Sequence, residues 1–199
     1  MKRDNAVICL LLLPSILVLI ILAFQWSIVD LVTPFLFEPI EGAAWVLLLV
    51  STLISAILYT KGRSKWPMSY LPLMAFICVI LCAEFVPFTS IWLDINFRIY
   101  KAEREKVAAD IFSGKLRPNV TYNQSLITLP SSYSGLSTGG GEVVIYNFGN
   151  DSGVYFFTFR GILGRSSGYL FMSSDAVPSG DGIVEASKVA PHWFFVRTE

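Results

Sequence analysis

Three long runs without a charged residue dominate the first half of this 199-residue chain. They cover residues 6–29, 42–60 and 66–83. About twenty apolar residues, each rising ~1.5 Å along a helix, cross a hydrocarbon core ~30 Å thick. We therefore predict a membrane region over residues 1–93. Its three transmembrane helices are expected at about 6–29, 42–60 and 66–88.

The first run has a rival interpretation, because Lys2 and Arg3 precede it as they would precede the core of a secretory signal peptide. A signal core has only about 7–15 apolar residues and is followed by a cleavage site of small residues. The run here is longer, and Leu22-Ala23-Phe24-Gln25-Trp26 is a poor cleavage site. These features favour a helix that stays in the mature protein.

The two halves of the chain differ in their content of charged residues. Residues 1–93 carry ten charged side chains, whereas residues 94–199 carry twenty, ten of each sign. The second half therefore has the composition of a water-soluble domain. Its net charge is zero and it has no basic stripe to neutralise phosphates, so we expect no nucleic-acid partner.

The short loops predict the direction of the spans. The loop from Asp30 to Glu41 contains three acidic residues and no cation, whereas Lys61 to Lys65 contains three cations in five residues. The positive-inside rule places the N-terminus and the second loop in the cytoplasm. The polar half then lies outside. Tryptophans suit this topology, because three of them fall at predicted outer boundaries and one at the inner boundary: Trp26, Trp45, Trp92 and, inside, Trp66.

The polar half begins with an amphipathic pattern. Residues 94–118 place apolar side chains at spacings of three, four and seven, which predicts a juxtamembrane helix ended by Ser113-Gly114. Residues 119–199 then contain short segments rich in β-branched and aromatic residues, at 126–129, 142–148, 154–159, 169–172, 183–185 and 193–196. Residues 150–153 and 164–168 are predicted hairpin loops.

The fold class that follows is a membrane all-α N-terminal half with a small α+β extracytoplasmic domain after it. In that domain one amphipathic helix is expected to lie on an antiparallel sheet of five or six strands.

One catalytic motif occurs. Gly164-Arg-Ser166-Ser-Gly168 matches the G-x-S-x-G nucleophile elbow, and Asp175 or Asp181 and then His192 follow in the order found in α/β-hydrolases. Gly139 to Gly141 could supply oxyanion-hole glycines. The elbow requires a helix directly after the serine, however, and here a strand pattern follows. We interpret the motif as a hairpin turn and keep a serine hydrolase using Ser166, Asp175 and His192 as an alternative.

Other candidate residues are few. His192 is the single histidine, so no multi-histidine metal site is expected, and no cofactor motif is present. Arg160 ends an aromatic strand, either as a buried partner of Asp175 or Glu142 or as its polar end. Arg160, Asp175 and His192 are the candidates for contacting a partner.

Glu84 is an intramembrane charge, either an ion-linked group or a residue near the headgroups before Pro87. Cys78 and Cys82 are expected to be packing residues. Sequons begin at Asn119, Asn123 and Asn150.

The sequence therefore predicts a small multi-pass protein of a bacterial cytoplasmic (inner) membrane, in contact with membrane lipids. Its periplasmic or extracellular domain is expected to bind a protein partner without catalysis, as an accessory, immunity or exclusion, or sensor protein. The alternatives are the membrane-tethered serine hydrolase and a subunit of a channel or transporter.

Overall fold

The computed structural model describes residues 2–60, 70–161, 164–180 and 182–199. It divides into two compact units, Met1–Trp92 and Leu93–Glu199. Lys61, Arg63, Lys65, Trp66 and Asp181, on which some of the predictions above depend, lie outside the described residues.

Two long helices begin the first unit. Helix α1 covers Lys2–Val32 and helix α2 covers Pro34–Thr60. Only Thr33 separates them, in the left-handed region at φ +73°. Pro34 suits the first position of α2, where the missing N–H would have had no helical partner. The predicted loop from Asp30 to Glu41 is therefore wrong, because the helices continue beyond the apolar runs that hydropathy detects.

The third span is interrupted. Helix α3 covers Leu71–Phe85, which at ~1.5 Å per residue is about 22 Å long and shorter than a hydrocarbon core. Helix α4, Phe88–Phe112, begins after a bend. Pro87 explains the break, since it donates no hydrogen bond and forces Val86 into an extended conformation at φ −90°, ψ 115°.

Two described helices are long and apolar enough to cross a membrane, and a third if the bent pair is one span. The coarse prediction of N-terminal helices that could span a membrane, followed by a small antiparallel sheet domain, is thus confirmed.

The core of the first unit is small. It is formed by six buried side chains from α1, α2 and α3: Val18, Ile21, Phe37, Ala44, Leu48 and Val79. Many of the other leucines and isoleucines of these helices are exposed. That distribution suits helices whose outer surfaces face lipid, because lipid tails are as apolar as leucine.

The second unit contains the C-terminal part of α4 and one sheet. Helix α4 ends at Phe112, and Gly114 follows in the left-handed conformation that terminates helices, at φ +74°. The strands are β1 (Leu126–Thr128), β2 (Glu142–Phe148), β3 (Asp151–Arg160), β4 (Ser166–Met172), β5 (Ile183–Ala190) and β6 (Trp193–Thr198). They form a six-stranded antiparallel sheet in the order β1-β2-β3-β4-β6-β5.

Both predicted hairpin loops lie nearer the N-terminus in the structure, and the first is also shorter. Phe148 pairs with Asp151, so Gly149 and Asn150 form the whole turn between β2 and β3. Gly149 has φ +69°, which such tight turns require. In the second hairpin Ser166 already belongs to β4. Both errors arise because small polar residues on a strand cannot be told from loop residues by composition.

Both faces of the sheet are buried at its central strands β3 and β4, whereas edge strand β5 is largely exposed. Val154 and Phe156 of β3 pack with α4 residues Val107 and Ile111, whereas Tyr155 belongs to a second cluster on the opposite face. The second cluster also contains Phe157, Leu170, Met172, Phe194 and Val196. A strand buried on both sides becomes a continuous apolar run, as seen from Val154 to Phe157.

Candidate functional site

A recess of about 410 Å³ lies at one end of the sheet in the second unit. Strand register creates it, because Arg160 at the end of β3 pairs with Ser166, which in turn pairs with Thr198 of β6. The recess, called here the sheet-end pocket, is lined by Tyr146, Phe157, Arg160, Gly161, Gly164, Ser166, Gly182, Thr198 and Glu199.

Arg160 is held in place from three sides. Its Nη1 donates to the carboxylate of Glu142, and its guanidinium carbon lies 5.0 Å from the centre of the Phe157 ring. A Cβ atom on Gly139 would be only 3.1 Å from Cδ of Arg160, so the glycine backbone packs directly against this side chain. Of the two predicted ion partners, Glu142 is therefore the one found. The side chain remains 39% exposed at the strand end.

Hydroxyl groups form the inner side of the pocket. Ser166 Oγ lies 2.7 Å from Thr198 Oγ1 and 3.2 Å from the hydroxyl of Tyr155. Burial raises the pKa of Tyr155 well above its ordinary value, so the phenol stays protonated and available for hydrogen bonding. Burial also raises the pKa of Tyr146 in the pocket lining. The pocket thus combines neutral hydroxyls, aromatic rings and one fixed guanidinium.

The predicted triad residues occupy opposite ends of β4. Ser166 begins that strand, whereas the carbonyl of His192 accepts the N–H of Met172 at its far end. Six residues at ~3.3 Å each separate the two positions by about 20 Å. Strand β4 continues directly from Ser166 to Met172, where the elbow would require a helix.

Asp175 and His192 do come together, but through the main chain. The N–H of His192 donates to Asp175 Oδ1 at 2.6 Å, and Lys188 Nζ lies 2.8 Å from Oδ2. The Lys188 ammonium and this N–H hold the pKa of Asp175 below its ordinary value. His192 has φ +63°, rare for a residue with a side chain. Asp175 therefore braces the turn between β5 and β6.

The remaining candidates are not among the residues that line the pocket. Glu84 is exposed on α3, and Cys78 and Cys82 are free thiols. The side-chain amide of Asn119 bonds to both the N–H and the carbonyl of Thr128, extending the edge of β1. Within residues 2–60, 70–161, 164–180 and 182–199, no three His, Cys, Asp or Glu residues are grouped to hold a metal ion.

Sequence reasoning found Arg160 and Ser166 but missed Tyr146, Phe157 and Thr198. No local signal marks these three as neighbours, since each belongs to a different strand and the sheet order alone brings them together. Comparison with protein families, curated proteins and solved structures finds no match to this chain.

Proposed function

We propose that this chain is a small multi-pass protein of a bacterial cytoplasmic membrane whose C-terminal unit lies outside the cytoplasm. There it binds a protein partner without catalysing a reaction. The class includes accessory subunits, immunity or exclusion proteins and sensors. The observation that carries the proposal is the sheet-end pocket with its fixed arginine.

An arginine held in this way is suited to recognition. Glu142 engages one nitrogen of Arg160 and the Phe157 ring supports the guanidinium plane, so binding would order little that is not already ordered. Arginine is also enriched among the residues that dominate protein interfaces, because its planar fork forms several hydrogen bonds at once. A recess of about 410 Å³ can receive a protruding side chain of a partner.

The surroundings of Ser166 favour binding over hydrolysis. Its hydroxyl is hydrogen-bonded with Tyr155 and Thr198, and His192 lies about 20 Å away along β4. A nucleophilic serine needs a base within hydrogen-bonding reach. The cations between residues 61 and 65, set against the acidic residues between 30 and 41, support the outward location.

A photocrosslinking amino acid at exposed Arg165 beside the pocket, in the whole chain in cells, tests the binding role. We expect a discrete crosslinked protein that disappears when Arg160→Met is added. The same probe at exposed Val189, at the other end of the sheet, is the matched control and should not give this product. A product that is insensitive to Arg160→Met, or common to both probe positions, would reject the pocket as the binding site.

Sidedness is tested separately with a cysteine at exposed Ser179 in a chain whose Cys9, Cys78 and Cys82 are replaced by serine. A membrane-impermeant thiol reagent should label intact cells or spheroplasts. Labelling only after the membrane is permeabilised would place the unit in the cytoplasm.

A further inference from the structure

We infer that helix α4 sets the geometry of the sheet-end pocket through Arg104 and Ser137, which act as positioning residues for its Phe157–Arg160 wall. The inference concerns the regulation of the proposed binding site. Only its statements about a bound partner rest on the proposed function. The contacts themselves are internal to the second unit.

The first link joins α4 to the chain segment behind the pocket. Arg104 is only 1% exposed, and its Nε donates to the carbonyl of Leu136 at 2.9 Å. Its Nη2 donates to Asn96 Oδ1 at 2.7 Å, so the guanidinium is fixed on α4 as well. A buried guanidinium is costly to desolvate, and the rings of Tyr100 and Tyr169 at 5.5 and 5.2 Å compensate part of that cost.

The second link is the residue that follows Leu136. The hydroxyl of Ser137 donates to the carbonyl of Glu142 and accepts the N–H of Phe157 at 2.9 Å. One buried oxygen therefore joins β2 and β3 at the point where the pocket wall begins. Thr138 adds a bond from its hydroxyl to the Phe157 carbonyl at 3.3 Å.

The third link reaches the lining itself. Phe157 and Arg160 both line the pocket, and Glu142 holds the Arg160 guanidinium. Between Ser137 and Glu142 three successive glycines take positive φ values of 74°, 102° and 71°. Gly141 leaves no space for a side chain, because a Cβ there would be 2.7 Å from the Cα of Ser134. The close packing of these glycines fixes the segment from Ser137 to Glu142 between Arg104 and the Phe157–Arg160 wall of the pocket.

The contacts form an unbroken series from α4 to the pocket. A change in the seating of α4 on the sheet must move the Leu136 carbonyl or break its bond, and Ser137 passes that change to Phe157. Coupling is reciprocal, so a partner in the pocket would favour one seating of α4.

The experiment uses the full chain in detergent micelles and needs no partner. Amide hydrogen exchange at Phe157 and the NMR shift of the Arg160 Nε–H are compared in Ser137→Ala, Arg104→Met, Arg104→Lys and the control Lys101→Met. Lys101 lies on the same helix and pairs with Glu105. We expect Ser137→Ala to speed exchange at Phe157 about tenfold, and Ser137→Thr to restore it.

Both Arg104 variants should speed exchange at Phe157 and shift the Arg160 Nε–H, whereas Lys101→Met should change neither. Exchange at Phe157 that is unaltered in either folded Arg104 variant would overturn the inference, as would equal effects from Lys101→Met. If neither Arg104 variant folds, an unchanged Arg160 Nε–H shift in Ser137→Ala overturns the inference.

The regulatory part is tested by crosslinking from Arg165 in Ser137→Ala. Loss of the crosslinked product in that variant supports it, and an undiminished product overturns it. Absence of any product from the unaltered chain would reject the binding role and leave the exchange result to stand alone.

Discussion

The guanidinium carbon of Arg104 lies 5.2 Å from the centre of the Tyr169 ring, inside the core of the second unit. Burial lowers the pKa of Arg104 to about 10, and it raises the pKa of Tyr169 to about 12. The Tyr169 hydroxyl donates to the Leu93 carbonyl at 2.7 Å. The low-dielectric core thus favours the neutral form of both groups, one by losing a proton and the other by keeping it.

These pKa shifts predict opposite effects at alkaline pH. Tyr169 holds its proton more tightly when folded, so its contribution to stability is present below about pH 10 and is lost as pH rises through about 12. Arg104 has the opposite effect: the unfolded chain binds its proton more tightly, so its contribution to stability increases as pH rises above about 10. In Tyr169→Phe the thermal unfolding midpoint should therefore fall less between pH 10 and pH 12 than in the unaltered protein. Tryptophan fluorescence measures it.

Tyr122→Phe is the control for this comparison, since that ring is 79% exposed. Its midpoint should follow the unaltered protein at every pH. If the unfolding midpoint of Tyr169→Phe changes with pH in the same way as that of the unaltered protein, Tyr169 does not hold its proton more tightly in the folded state.

The two glycines of the G-x-S-x-G motif are predicted to differ in their structural roles. A Cβ on Gly168 would lie 2.1 Å from the carbonyl oxygen of Phe156, where β3 and β4 approach closely. Gly168→Ala should cost about 3 kcal/mol or more. Gly164 has φ +87°, but a Cβ there would meet only the carbonyl carbon of Glu199 at an ordinary 4.0 Å, so Gly164→Ala should cost only about 1–2 kcal/mol. Equal losses in unfolding midpoint would show that the close approach is not rigid.

The strained turn at His192 should be improved by glycine. His192→Gly relieves a φ of +63° and, after the added entropy of the unfolded chain, should stabilise the protein by about 0.5 kcal/mol. His192→Ala keeps the strain and should give no such gain. Asp175→Ala should lower the unfolding midpoint, because the His192 N–H and Lys188 both lose their partner. A lower midpoint for His192→Gly than for His192→Ala would mean that the positive φ of His192 carries too little strain to outweigh the added entropy of the unfolded chain.

Among the described residues of the helical unit, one buried polar side chain has no hydrogen-bond partner. The hydroxyl of Ser15 is buried on α1 and has no hydrogen-bond partner among the described residues. Ser15→Ala should leave stability unchanged or raise it by about 1 kcal/mol, because no bond is lost. Ser51 on α2 donates to the Leu48 carbonyl at 2.9 Å, so Ser51→Ala should not stabilise. Thermal unfolding in detergent compares the two, and a loss with Ser15→Ala would reveal an unseen partner such as a water molecule.

Features that depend on neighbours along the chain could be predicted. Hydropathy located the apolar helices, and alternation of aromatic and β-branched residues located strands such as the one from Glu142 to Phe148. Gly114 marked the end of α4 because left-handed backbone is a local requirement. Helix ends at the membrane were less predictable. Backbone hydrogen bonding continues past the last apolar residue, as the single-residue break at Thr33 shows.

The amino-acid sequence by itself determined the apolar helices that could cross a membrane and the sheet-forming character of the second half, whereas the third span was predicted without its break before Pro87. Each follows from the solvent preference or backbone limits of adjacent residues. Only the tertiary structure decided that Arg160 meets Glu142, that Ser166 meets Thr198 instead of His192, and that Arg104 lies buried beneath the segment behind the pocket. Those pairings depend on strand order and register, which join residues up to 32 positions apart through contacts that no local pattern encodes.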